Sequence, residues 1–174
     1  LTTSSEPMLY IINSKANMNN NDIVVSANGT GVYMTGSSTF SGWNNMTLNS
    51  GSTGIYVENS KATIDGKNIV NTGNINITGE RSIAAYLEGT SEQTFENSGT
   101  INVDKTTTSV KNDSTVGIYA QNGSKINIKN SGTINVGESS FGIYSLSENG
   151  NVETTGSSVI NVADKAIGIY KKGG

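Results

Sequence analysis

The chain has 174 residues, a net charge of −3 and only 33% apolar residues, which is too lean for the thick core of an ordinary globular domain. It contains no cysteine or histidine, which excludes disulfide bonds, thiol and histidine catalysis and most zinc or copper sites within these residues. An acidic balance with a single arginine argues against nucleic acid as a partner, and no apolar run is long enough to insert this segment into a membrane.

Two short motifs recur along the chain. The first, typically Gly-Ile-Tyr, accounts for all seven tyrosines: Tyr10, Tyr33, Tyr56, Tyr86, Tyr119, Tyr144 and Tyr170. The second is an alternating triplet such as Ile-Asn-Val, and its six copies end at Val25, Leu48, Ile77, Val103, Val136 and Val162. From the end of a triplet to the next tyrosine the distance is 8 or 9 residues in five copies and 16 in the fourth. Such fixed spacing indicates a repeat architecture.

Residues 117–141 show how one repeat is built. Three short alternating segments are separated by turn residues, and the alternation predicts which side chains share a face. The inward face should hold aliphatic residues: Ile118, Ile126, Ile128, Ile134 and Val136. The outward face should hold Tyr119, Asn127 and Asn135. At the corners, Asn122-Gly123 and Asn130-Ser131-Gly132 supply residues that tolerate positive φ.

These features predict an all-β fold, a right-handed parallel β-helix of about six three-strand coils with no sizeable helix. Each strand should pair with its counterpart one coil away. Residues 1–7 are expected to be a leader or linker, and residues 8–174 a single β-helix fragment of a longer chain. Asn71, Asn97 and Asn130 begin three successive Asn-Thr/Ser-Gly corners, so their amides should stack and hydrogen-bond along the rod.

The motif Asn-Ser-Gly-Thr-Ile-Asn-Val, at residues 97–103 and 130–136, and the Gly-Ile-Tyr motif together resemble the passenger domains of type V autotransporters. The likeness is greatest to the large fusobacterial outer-membrane adhesins and covers residues 8–170. The resemblance implies an extracellular rod displayed from the outer membrane through a separate β-barrel. It also implies a role in attachment to host or other bacterial cells, as a monomer, through a cell-surface glycan or protein. No binding residue is implied, because the matching residues are scaffold.

Two aromatic features are candidate binding sites. The tyrosines should form an outward column, and Tyr56, Tyr119 and Tyr144 could accept the apolar faces of sugars. Alternatively, the column packs on itself and stiffens one face of the rod. Phe40 and Trp43 lie in a polar segment and are either an exposed anchor or core filling at a widened corner.

The insertion at residues 104–115 is the third candidate, because the other copies close the same connection in about half the length. Long loops on a regular scaffold are common recognition sites. Its contact residues would be Asp104, Lys105, Lys111, Asn112 and Asp113. The insertion could equally be a neutral excursion.

No catalytic residues, metal or cofactor are predicted. The five aspartates fall at different offsets of the repeat, so we expect no stacked acidic pair of the kind that β-helical polysaccharide enzymes use. A nucleophile elbow, a phosphate-binding loop and a calcium repeat are also missing from the sequence. We therefore expect a non-enzymatic segment. The alternative is a fragment of a polysaccharide-active enzyme or secreted toxin whose active site lies outside this chain.

Overall fold

The computed structural model describes residues 6–36, 38–59, 68–90, 92–107, 114–121 and 123–173. Within these ranges the chain forms 17 strands and no helix, and accordingly no helix long and apolar enough to cross a bilayer. The strands wind into a parallel β-solenoid of about six turns with three parallel sheets. The predicted all-β solenoid is confirmed.

Sheet 1 carries the tyrosine motif and has seven strands: β1 (Leu9–Ile12), β3 (Thr30–Thr35), β5 (Thr53–Asn59), β8 (Ile83–Gly89), β11 (Val116–Ala120), β14 (Phe141–Ser145) and β17 (Ile167–Lys171). Sheet 2 carries the triplet motif on six strands: β2 (Lys15–Val25), β4 (Thr39–Leu48), β7 (Asn74–Ile77), β10 (Thr100–Val103), β13 (Thr133–Val136) and β16 (Val159–Val162). Sheet 3 has four strands: β6 (Asn68–Asn71), β9 (Gln93–Asn97), β12 (Ile126–Asn130) and β15 (Val152–Thr154).

Every strand pairs in parallel with its counterpart one coil away. Equivalent residues of the repeated motifs are in register with each other. Tyr33 is in register with Tyr56, and Ile101 with Ile134. The predicted inward residues are all buried: Ile118, Ile126, Ile128, Ile134 and Val136. The core is therefore a set of stacked, mainly aliphatic columns, which explains how so lean a composition folds.

The first two coils differ from the predicted three-strand plan. In each, one long strand, β2 or β4, covers two sides of the rod. Residues with positive φ, Asn19 (φ 50°) and Asn20 (φ 63°) in β2 and Gly42 (φ 74°) in β4, bend these strands without ending them. The β2–β4 register shifts between Asn17 and Ile23, next to the bend.

The glycine of the Asn-Ser-Gly corner at residues 130–132 is required for a reason other than positive φ. Gly123 does have positive φ (77°), but Gly132 does not belong to the positive-φ residues, so the sequence prediction is wrong for that position. A Cβ on Gly132 would lie 2.1 Å from the carbonyl oxygen of Gly99 in the previous coil. Glycine is required here because successive coils approach closely at this corner.

The predicted asparagine ladder is confirmed in the interior at the ends of β6, β9 and β12. Asn71 Nδ2 donates to Asn97 Oδ1 at 2.7 Å, and Asn97 Nδ2 donates to Asn130 Oδ1 at 2.8 Å. All three side chains are fully buried. Each amide meets another amide, so the polar groups are satisfied without water.

A second ladder, which we did not predict from the sequence, runs along the outer face of sheet 2. It joins the central residues of successive triplets at donor–acceptor distances of 2.6 to 2.7 Å: Asn76, Asn102, Asn135 and Asn161. The signal was present in the repeated Ile-Asn-Val triplets, since an outward asparagine at every copy must lie beside another.

The two ladders should contribute differently to stability. Asn97→Ala should lower the free energy of unfolding by about 2–4 kcal/mol, because it leaves the buried Asn71 Nδ2 without an acceptor and the buried Asn130 Oδ1 without a donor. Asn135→Ala removes a similar link where water can replace it, so its effect should stay below about 1 kcal/mol. Urea unfolding of both variants measures the difference. Equal losses would contradict the role assigned to burial.

Candidate functional site

The tyrosines form one continuous outward column on sheet 1. The seven rings stack face to face, with centroids 4.6 to 5.7 Å apart and interplanar angles of 8 to 23°. The predicted outward direction is confirmed, since inward neighbours such as Ile55 and Ile118 are fully buried whereas the rings stay partly exposed. The column packs on itself.

This packing corrects the sugar-stacking hypothesis. Tyr56 lies between Tyr33 and Tyr86, and Tyr119 and Tyr144 are likewise covered on both faces by neighbouring rings. A sugar cannot lie on a ring face that another ring already covers. What these tyrosines offer to a ligand is their edges and hydroxyl groups.

The hydroxyls reach diagonally to the next coil. Tyr56 donates to Glu88 Oε1 at 2.7 Å, and Tyr86 donates to Gln121 Oε1 at 3.1 Å. Burial, followed by the carboxylate of Glu88 and the neighbouring Tyr119, raises the pKa of Tyr86 from 10.0 to about 12. Burial and then the hydrogen bond to Glu88 raise the pKa of Tyr56, and burial raises that of Tyr119.

Glu88 belongs to a second outward column, two residues after the tyrosines. Glu58 is in register with Glu88, so two carboxylates occupy the same position in neighbouring coils. The expectation that no acidic pair is stacked was wrong, because it considered only aspartates. The sequence signal was the recurrence of Glu two residues after a motif tyrosine, at Tyr56-Val57-Glu58 and Tyr86-Leu87-Glu88.

A groove of about 170 Å³ opens beside this acidic column. Its walls are polar side chains and two glycines: Glu58, Glu88, Thr90, Gln121, Ser124, Gly89 and Gly123. Ser124 is buried and donates to the Gln121 carbonyl at 2.6 Å, which holds one wall in place. Carboxylate, amide and hydroxyl groups therefore converge on one concave surface.

The base of the insertion is anchored in the rod. Thr106 is buried, and its hydroxyl lies 3.1 Å from Thr115 Oγ1 and 3.0 Å from Ser140 Oγ. The Thr107 hydroxyl and amide both donate to Glu80 Oε1, the amide at 2.7 Å. The two ends of the insertion are thus fixed to the scaffold and to each other.

Of the predicted insertion contacts, Asp104 and Lys105 are exposed, and Asp104 Oδ1 accepts from the Lys105 amide at 2.8 Å. Lys111, Asn112 and Asp113 lie outside the described residues. A larger groove, of about 350 Å³, lies next to the insertion on sheet 2 and is lined by Val103, Asn135, Val136, Gly137, Asn161, Val162 and Ala163.

Buried hydroxyls were a further feature that the sequence analysis missed. In four copies of the repeat, the position four residues before the tyrosine carries an almost fully buried serine or threonine: Ser52, Ser82, Thr115 and Ser140. They bond to neighbouring connections, as when Ser82 Oγ donates to the Asn49 carbonyl at 2.8 Å. Their role is to tie the coil corners together.

The exposed-anchor alternative for Phe40 and Trp43 is wrong. Their exposed fractions are 2% and 3%, and their rings stack on each other with centroids 4.8 Å apart inside the core. The two rings lie on either side of Gly42, the residue with positive φ at which β4 bends. The core-filling alternative is confirmed.

The candidate residues do not form one site. Tyr56, Tyr119 and Tyr144 lie on sheet 1, Asp104 and Lys105 follow sheet 2, and Phe40 and Trp43 are in the core. Among the residues the structure describes, no three His, Cys, Asp or Glu side chains are grouped to hold a metal ion. The geometry defines a β-solenoid with a polar groove. No protein-family model, curated protein or solved structure matches the chain.

Burial of Trp43, the single tryptophan, can be measured directly. The intrinsic fluorescence should be blue-shifted and poorly quenched by acrylamide in the folded chain, because the indole lies inside the core. The same chain in guanidinium chloride provides the control for an exposed indole. Quenching of the folded chain as strong as in denaturant would contradict the buried position.

The raised tyrosine pKa values predict alkaline destabilisation. In the unfolded chain the phenols lose their protons near pH 10, whereas folded Tyr86 keeps its proton up to about pH 12. Between these values the unfolded state binds fewer protons, so the free energy of unfolding should fall as pH rises. Urea unfolding and tyrosinate absorbance across this range measure the effect.

Tyr86→Phe is the matched control for the titration and should weaken the pH dependence. Complete ionisation of the tyrosines near pH 10 in a chain that remains folded would contradict the shift.

Proposed function

We propose that this chain is a segment of the β-helical stalk of an extracellular autotransporter adhesin. In this function the rod is displayed from the outer membrane, as a monomer, and attaches the cell to host or other bacterial cells. The mechanism is presentation: a stiff scaffold holds a groove and a loop at a distance from the membrane. The partner is a cell-surface glycan or protein.

The observation that carries this proposal is the presence of two outward columns in which each residue contacts its counterpart in the next coil. The tyrosine column and the asparagine ladder of sheet 2 link coil to coil along the surface of the rod. Such columns resist bending, because bending would separate stacked rings and bonded amides on one side. A surface rod that must project a binding region requires this property.

The anchored insertion supports the same function. Hydrogen bonds among Thr106, Thr115 and Ser140 fix the two ends of the insertion to the rod and to each other. A loop with fixed ends loses less conformational entropy on binding than a free one. The alternative, a fragment of a polysaccharide-active enzyme or secreted toxin, stays a prediction, and no contact within the described residues favours it.

Surface labelling tests this function. Fab fragments raised against the folded chain should label intact cells of the producing bacterium, and permeabilising the outer membrane should add little signal. The same Fab fragments at saturation should reduce attachment to host or partner bacterial cells by severalfold. An antibody against a periplasmic enzyme is the control for intact membranes. Label that appears only after permeabilisation would overturn the proposal.

A further inference from the structure

The column of Glu58 and Glu88 departs from the rule that the other outward columns follow. Tyrosine stacks on tyrosine and asparagine on asparagine, and both contacts are attractive. Two carboxylates in register repel each other, and like charges directly opposite in a sheet destabilise it.

The charged column on the outer face of sheet 3 avoids this conflict. On sheet 3 the corresponding outward positions alternate in sign, with Lys129 in register between Glu96 and Glu153. Gln121, which follows the acidic pair and accepts from Tyr86, is neutral. The like-charged pair of Glu58 and Glu88 is thus a local exception. Residues that are unfavourable for the stability of their scaffold are frequently functional.

The surroundings of the pair have the features of a small binding site. The groove lies directly beside both carboxylates. The Tyr56 hydroxyl donates to Glu88 Oε1 at 2.7 Å, and this hydrogen bond orients the Glu88 side chain. Gly89 (φ 144°) and Gly123 (φ 77°) form part of the wall, and among the described residues, apart from its neighbours in the chain, no atom lies within 4 Å of a Cβ built on Gly123. A ligand can therefore approach the backbone closely.

We propose that this groove binds a hydroxyl-rich saccharide edge-on. Neighbouring sugar hydroxyls would donate to the carboxylates of Glu58 and Glu88, and the Gln121 and Thr90 side chains would complete the hydrogen bonds. Carboxylates accept such bonds strongly, and each accepts more than one. The inference rests on the proposed adhesive function and names the partner class, a cell-surface glycan.

The acidic pair makes the test specific, because binding and stability should change in opposite directions. Glu58→Gln removes the repulsion, so the Tm should rise by about 1–2 °C. The same change weakens the bonds to sugar hydroxyls, so binding to an array of host and bacterial surface glycans should fall at least about tenfold. Glu88→Gln should also lose binding.

Glu96→Gln is the matched control, since it removes one outward carboxylate from the alternating column of sheet 3. It should leave glycan binding unchanged. A wild-type chain that binds no glycan on the array, or a Glu58→Gln variant that binds as well as wild type, would overturn the saccharide site. Binding abolished by EDTA would also overturn it, because a metal ion would then occupy the carboxylates.

These outcomes are separable from the failure of the proposed function. If intact cells are labelled and Fab fragments block attachment while the groove variants bind normally, the stalk function stands and the groove does not hold the glycan. If cells are labelled only after permeabilisation, the adhesin function itself fails.

Discussion

The structure depends on one constraint, the stacking of each coil on the previous one in register. Parallel strands lie about 4.8 Å apart, so every side chain has its own counterpart as a close neighbour above and below. A column is stable only if its residue type is attracted to itself or to a complementary one. Aromatic rings and carboxamides meet this requirement, and single-sign charges do not.

Stacking in register explains why the polar residues of this chain are mostly uncharged; a need for solubility alone would not. Charged residues make up only 14% of the chain, and asparagine, serine and threonine supply most of the polar residues. A carboxamide carries both donor and acceptor, so a column of asparagines satisfies itself. The same property allows Asn97 to be fully buried, bonded to Asn71 on one side and Asn130 on the other, at the edge of a mainly apolar core.

Much of the fold was predictable because the repeat encodes it. The tyrosine column, the inward position of residues such as Ile126 and the Asn97 ladder all follow from spacing and alternation. Some missed features, such as the sheet 2 ladder at Asn135, had a periodic signal, whereas others depend on three-dimensional details that the spacing does not encode. Spacing alone does not show that β4 continues round a corner at Gly42. It also does not show that Gly132 is needed because the backbone of Gly99 in the previous coil lies so close. The acidic pair was detectable, but only by comparing glutamate offsets.

A regular column of identical residues gives little indication of a binding site, whereas an exception to the pattern gives more. A residue that contacts its counterpart is explained by the scaffold, so Tyr119 in the middle of the column needs no ligand to account for it. Glu58 is different, because it is in register with Glu88 and like charges at such positions are unfavourable in a sheet. Stability is commonly lower at positions that serve binding. In a repeat protein, the sites to examine first are therefore those where stacking in register is unfavourable.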